Sequence, residues 1–381
     1  MSDDIVRVEK GKNKKKHSNL RRLIAFTCIF LVLFFIVSDI MTVSDCTSLA
    51  NVRGFYMEPE NSLDVALIGP SEFYADYSAT QAWKEYGYTS YSLAVAGVPG
   101  NLYKSMLKEV QKRQSPKLVV FEINGFVQGD KYFNRQGQMH SWLDNIPWSE
   151  NKLETIKEVV PKEDQYSYFC KIATYHNNWK SLADCANCMA VKAHMDLNGY
   201  SYAKGFGTYT KCSDDIEKTK EKKLKYTNLA QDYLTDLLQY CKDSGMENVL
   251  FVRFPHGRKI ENPEVMDQLQ NVITAYGYDF LNLNDNYSDI GIDPKSDFYN
   301  AEHLNVEGMQ KMTHYFGNYL CSNYDIKGDH SEEQVAYWND CAQKMDGVIQ
   351  ECQNDLKDGV IRRYFELSVY LKPKRIKGKN V

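Results

Sequence analysis

The stretch Lys117–Ile123, KLVVFEI, decides the fold class. Its apolar run is nearly continuous, as in a strand whose two faces are both covered, which is the habit of parallel sheets. Shorter runs of the same kind recur on either side: Asp64–Ile68 (DVALI), Ser90–Val95 (SYSLAV), Asn248–Phe254 (NVLFVRF) and Asp279–Leu283. Between them lie stretches with helical spacing, at 75–86, 101–114, 224–244, 263–276 and 306–319. Strand and helix alternating in this way predict an α/β fold with a doubly wound parallel sheet. Ligands of such sheets bind beyond the carboxyl ends of the strands, so the residues just after each strand are the candidates for chemistry.

Residues 126–223 break the alternation. They hold Trp142, Trp148 and Trp179, many tyrosines, and Cys170, Cys185, Cys188 and Cys212. A structureless loop of that length is improbable, so the segment is expected as a helical, Cys-rich insertion over the site. Residues 325–360 read as a helical extension. The fold domain is then 62–324 with the insertion inside it, followed by 325–381.

The N-terminus supplies an address. Residues 1–22 carry a net charge of +5, and Leu23–Ser38 (LIAFTCIFLVLFFIVS) is free of charge. With Ile40, Met41 and Val43 the apolar stretch covers 23–43, about the 20 residues that cross a bilayer. The basic flank places residues 1–22 in the cytoplasm and the rest outside, with 44–61 as a stalk. A cleaved signal peptide fits less well, because its apolar region is usually about 7–15 residues and no small-x-small site follows. A lipoprotein attachment at Cys46 would follow Asp45, where a small residue is wanted.

The whole chain of 381 residues has a net charge of −4 and a mean hydropathy of −0.51. These values exclude a multispanning protein and argue against a dedicated nucleic-acid binder. With +5 also on residues 372–381, the segment 23–371 carries −14. Nine cysteines lie beyond the apolar run, an odd number, and the four in the insertion suggest local disulfides in an oxidising compartment. Cys185-Ala186-Asn187-Cys188 has zinc-ligand spacing but no second pair to complete a site, so neither metal nor cofactor is expected.

Three strand ends and one late segment carry candidate residues: Gly69-Pro70-Ser71-Glu72, Ala96-Gly97, Asn124-Gly125, and Asp297 through Asn300 to His303-Leu304-Asn305 before a helix. Taken singly, Ser71 reads as a helix cap, Gly97 and Asn124 as turn residues, and His303 as a capping histidine. His256, after the fourth strand, is a candidate substrate contact or a loop residue.

Taken in order, the blocks resemble the SGNH/GDSL hydrolase superfamily, over about residues 62–322 without the insertion. The resemblance implies a flavodoxin-like sheet, Ser71 as nucleophile, Gly97 and Asn124 as oxyanion donors, and His303 as base. It is nearest to membrane-anchored Gram-positive members linked to O-acylation or D-alanylation of cell-surface polymers. That implies a serine-dependent acyltransferase or esterase acting on a cell-surface glycan or teichoic acid, with a membrane-bound O-acyltransferase as partner. Pro70 replaces the family's Asp, and Asn300 stands where an Asp precedes the histidine by three. A neutral partner stabilises imidazolium poorly; the equivalent swap in serine proteases costs about 10⁴ in turnover. Asp297 or Glu302 supplies the charge, Asn300 suffices for slow transfer, or the chain is a non-catalytic glycan-binding or scaffold protein.

Overall fold

In the computed structural model, residues 2–213, 216 and 221–366 are described, with the backbone alone for residues 2–18. Five strands form the central sheet: β1 (Val65–Gly69), β2 (Ser90–Ala94), β3 (Leu118–Glu122), β4 (Val249–Arg253) and β5 (Asp279–Asn282). Each lies within a residue or two of its expected position. Every residue of β1 to β4 is buried. Alternate residues of a strand face opposite ways, so complete burial means that helices or loops cover both faces.

The strands pair in parallel in the order β2-β1-β3-β4-β5. Chain direction across the sheet therefore switches between β1 and β3, the place where doubly wound sheets hold ligands. Register fixes which loops meet there. Gly69 pairs with Ala94 and Ile68 with Phe121, so the loops after β1, β2 and β3 leave the sheet side by side.

The helix expected over 75–86 starts later, as Ala79–Tyr86, and a separate short helix, Ser71–Ala75, precedes it. The break has a cause: the Asp76 carboxylate accepts a hydrogen bond from the Leu304 amide at 2.8 Å, and Ser78 caps the second helix. Two small antiparallel pairs flank the main sheet. Phe298–Asn300 pairs with His303–Leu304, and Gly207–Tyr209 with Arg363–Phe365. The extension folds as one helix, Glu332–Lys357, opened by a capping box of Ser331 and Gln334.

The N-terminal helix runs from Ser2 to Met41, and its part Asn19–Met41 is apolar and almost wholly exposed. Its 23 residues are long and apolar enough to cross a membrane, at about 35 Å against a hydrocarbon core of about 30 Å. The segment expected as a stalk is folded instead. Cys46–Met57 is a helix capped by Asp45; its Val52 and Phe55 join the main core while Leu49 and Ala50 pack against the insertion, so burial on both sides pulls it into the domain.

The insertion is helical, with Gln136–Leu143, Glu150–Val159 and Leu182–Asn198 as its longer helices. Its start reaches the candidate site, whereas its later helices pack against the Cys46–Met57 helix and the end of the apolar helix. The expected local disulfides are not formed: none of the ten cysteines is in a disulfide. The packing of the Cys46–Met57 helix on the insertion places Cys188 in hydrogen-bond contact with Cys46; that contact lowers the Cys188 pKa, while the same contact, and burial after it, raise that of Cys46. The basic segment 372–381 lies outside the described residues.

Candidate active site

Ser71 opens the short helix after β1. Pro70, not Ser71, occupies the cap position, so the Ser71 hydroxyl is not spent on capping. It lies 2.6 Å from His303 Nε2 and is partly exposed. Two residues 232 positions apart in sequence are thus brought together by the hairpin of 298–304, where Asn300 and His303 are ladder partners. The Asp76–Leu304 bond ties that hairpin to the end of the helix that Ser71 begins.

The hydrogen bonds also fix the imidazole tautomer. Asn300 Oδ1 accepts from the Glu302 amide at 2.8 Å, which identifies it as the oxygen of the side chain. His303 Nδ1, 3.0 Å from the same oxygen, must then be the donor, leaving Nε2 with a lone pair for the Ser71 proton. The Tyr299 ring stacks parallel on His303 at a centroid separation of 5.2 Å and holds its plane.

Asp297 is not the partner of His303, contrary to one of the expectations. Its carboxylate is taken by Lys311 Nζ at 2.7 Å, the Asp293 amide at 2.7 Å and Ser296 Oγ at 3.0 Å, which makes it a loop anchor. Charge reaches His303 from elsewhere. Glu302 pairs with Lys222 at 3.0 Å; burial opposes its ionisation, but the charge and hydrogen bond of Lys222 outweigh burial and bring its pKa down to about 2. Glu72 is the other negative neighbour. Burial lowers the His303 pKa, and Glu72 and Glu302 act against that shift, as anions near an imidazolium should.

Asn124 sits in the turn after β3, with both ends of its amide held. Its Nδ2 donates to Glu72 Oε1 at 2.5 Å, its Oδ1 accepts from Gln128 Nε2 at 2.7 Å, and its backbone N–H donates to Glu122 Oε2 at 2.5 Å. One Nδ2 hydrogen remains for an oxyanion. Gly97 follows β2 with φ of +59°, in the left-handed region that a side chain strains, and Tyr132 and Gln138 of the insertion lie over it. The neighbouring Ala96 amide donates to Ser48 Oγ at 2.9 Å. Ser48 is only seven residues beyond Met41, so this loop lies within about 25 Å of the end of the apolar helix.

His256 is almost wholly buried, with Nε2 3.2 Å from Glu72 Oε1, and burial followed by the charges of Arg253 and Lys222 lowers its pKa well below the ordinary imidazole value. Glu72, Glu122 and His256 are, among the described residues, the group whose ligand-type atoms converge as a metal site requires, all within 4.8 Å. Arg253, wholly buried beside both carboxylates, already supplies the positive charge, so the cluster reads as an internal ion network beneath the serine. Glu122 and Arg253 had a signal in the sequence: each is a lone charge in an apolar strand, and a buried charge demands a partner.

Beyond β4 and β5 a cleft of about 1210 Å³ opens, lined by His256, Arg258, Lys259, Asp267, Asn284 and Tyr287 among others. Known family models, the curated proteins and the solved structures yield no match to this chain.

Proposed function

We propose that the chain is a membrane-anchored, extracytoplasmic SGNH-type O-acyltransferase or esterase that modifies a cell-surface polysaccharide or teichoic acid through an acyl-enzyme on Ser71. The observation that carries this is the Asn300–His303–Ser71 relay, with contacts of 3.0 and 2.6 Å and a tautomer that leaves Nε2 free. The Ser71 hydroxyl attacks the acyl carbonyl while His303 Nε2 takes its proton. The oxyanion is met by Asn124 Nδ2 and by the backbone N–H groups of Ser71 and Gly97, donors worth a few kcal/mol when preorganised. His303 then returns the proton to the departing group. A polymer hydroxyl or water repeats the sequence in reverse to release the acyl group.

The position of the site supports a donor in the membrane. The loop bearing Gly97 is held by Ser48, just beyond the apolar helix, within reach of a multispanning O-acyltransferase partner. In this reading residues 1–22 lie in the cytoplasm and the α/β domain outside.

Asn300 favours the second reading, a non-catalytic glycan-binding or scaffold protein. Release or transfer of acetate or alanine on purified wall polymer, by the full chain in detergent, separates the two. Activity that disappears in Ser71→Ala and His303→Ala supports the enzyme; activity equal in all three chains, or none in the wild type, refutes it.

A further inference from the structure

The later helices of the insertion expose large apolar side chains close to where the apolar N-terminal helix ends. Trp179 is 61% exposed and Leu182 67%, and Trp148, itself 56% exposed, stacks on the exposed Phe169 at 5.6 Å. Their height relative to the apolar helix is fixed by bonds. Asn178 Nδ2, one residue before Trp179, donates to the carbonyl of Met41, the last residue of that helix, at 2.9 Å. Lys192 of the insertion pairs with Asp39 at 2.9 Å. The Lys171–Tyr175 helix, which follows Phe169, packs on the N-terminal helix as well. Between Asp39 and the insertion lies a cavity of about 390 Å³, whose wall includes Pro147, next to Trp148, and Lys171. Trp148, Phe169, Trp179 and Leu182 are therefore grouped around the exit of the apolar helix.

We propose that this face is a membrane-docking surface, with its aromatic side chains bedded in the headgroup region of the bilayer that the N-terminal helix crosses. The proposal rests on the reading of Asn19–Met41 as a membrane span. Continuity with that span selects lipid as the occupant: a surface bonded to Met41 and Asp39 lies at the height of the headgroups. The side-chain chemistry agrees, since Trp and Tyr collect at membrane interfaces with Lys beside them. Lys180 stands 5.5 Å from the centroid of the Trp179 ring, able to reach lipid phosphates while the ring enters the apolar boundary. A single helix leaves a domain free to tilt; a second contact on its flank holds the Gly97 loop at a fixed height above the membrane.

The tryptophans make the test direct. Of the five, Trp83, Trp142 and Trp338 are buried, so Trp148 and Trp179 are the two that a lipid can reach. The full chain, reconstituted in phosphatidylcholine–phosphatidylglycerol vesicles with or without dibrominated acyl chains, is first floated on a density gradient and then read by tryptophan emission. Bromolipid should quench the wild type, each of Trp148→Phe and Trp179→Phe should lose about half of that quenching, and the double variant nearly all of it. Acrylamide in the aqueous phase should quench the vesicle-bound chain weakly. A chain that fails to float overturns the span and this proposal with it. A chain that floats, but whose Trp148 in the Trp179→Phe variant is open to acrylamide and untouched by bromolipid, overturns the docking surface alone, and leaves it to solvent or to a protein partner.

Discussion

Replacing Asn300 by Asp should make the site faster. Asn300 Oδ1 lies 3.0 Å from His303 Nδ1, and the Glu302 amide that fixes this oxygen can donate to a carboxylate equally well. At that separation a carboxylate stabilises an imidazolium by about 5.5 kcal/mol at an effective dielectric constant of 20, and by about 1.4 kcal/mol at that of water. In rate these limits are about 10⁴-fold and about tenfold. Asn300 is exposed, and Glu72 and Glu302 already act on the ring, so the gain should fall toward the lower limit, about 10- to 100-fold. The assay is the second-order rate of acylation by an activated ester, followed with the full chain in detergent across pH. The acid limb of the profile should also move to higher pH, because the new anion raises the His303 pKa. A folded Asn300→Asp chain that acylates no faster, with an unmoved acid limb, would refute the assignment of Asn300 as the partner of His303.

Other consequences can be checked separately. Acylation needs neutral His303, whose pKa burial lowers, so the wild-type rate should rise through a midpoint below the ordinary value of about 6.5; a midpoint above it contradicts the burial argument. His303 and His256 both have lowered folded-state pKa values, so the unfolded chain binds protons first: stability is full above about pH 6.5 and falls as pH drops below it, as denaturant midpoints should record. Lys204 and Glu58 form a fully buried pair at 2.7 Å, with Tyr337 also bonded to Lys204. Lys204→Met should cost about 3–5 kcal/mol in denaturant unfolding, and adding Glu58→Gln should restore part of it; equal loss in both chains would show that packing, not charge, matters there. Mild oxidation with diamide should join Cys46 to Cys188, the diazene taking up the two electrons and two protons that the thiols lose. Peptide mapping that finds Cys188 joined to Cys185 instead would contradict the packing of the Cys46–Met57 helix.

The sheet was legible because buried parallel strands write themselves as apolar runs, and each of the five lies where its run predicts. The relay was legible only by motif. Phe298–Asn300 and His303–Leu304 are three and two residues long, too short for any periodicity, and their pairing depends on Asp76 far back in the chain. Asp297 and Asn300 could not be ranked from sequence, since the choice depends on Lys311, a turn further along the helix that takes the Asp297 carboxylate. The stalk failed for a similar reason. CTSLANVRGFYM shows no clear one-sided apolar stripe, because it is buried almost all round: Val52 and Phe55 face the main core, while Leu49 and Ala50 pack with Cys188, Val191 and Met195 of the insertion. Cysteine spacing misled because Cys188 meets Cys46, which is 142 residues away.

The central claim is that Ser71 is a nucleophile activated by His303. Its most direct test is labelling of the full chain by a fluorophosphonate, with the modified peptide located by mass spectrometry. The account predicts a single label on the peptide containing Ser71, absent from Ser71→Ala and strongly reduced in His303→Ala. A wild type that stays unlabelled, or a Ser71→Ala chain labelled to the same extent, would contradict it.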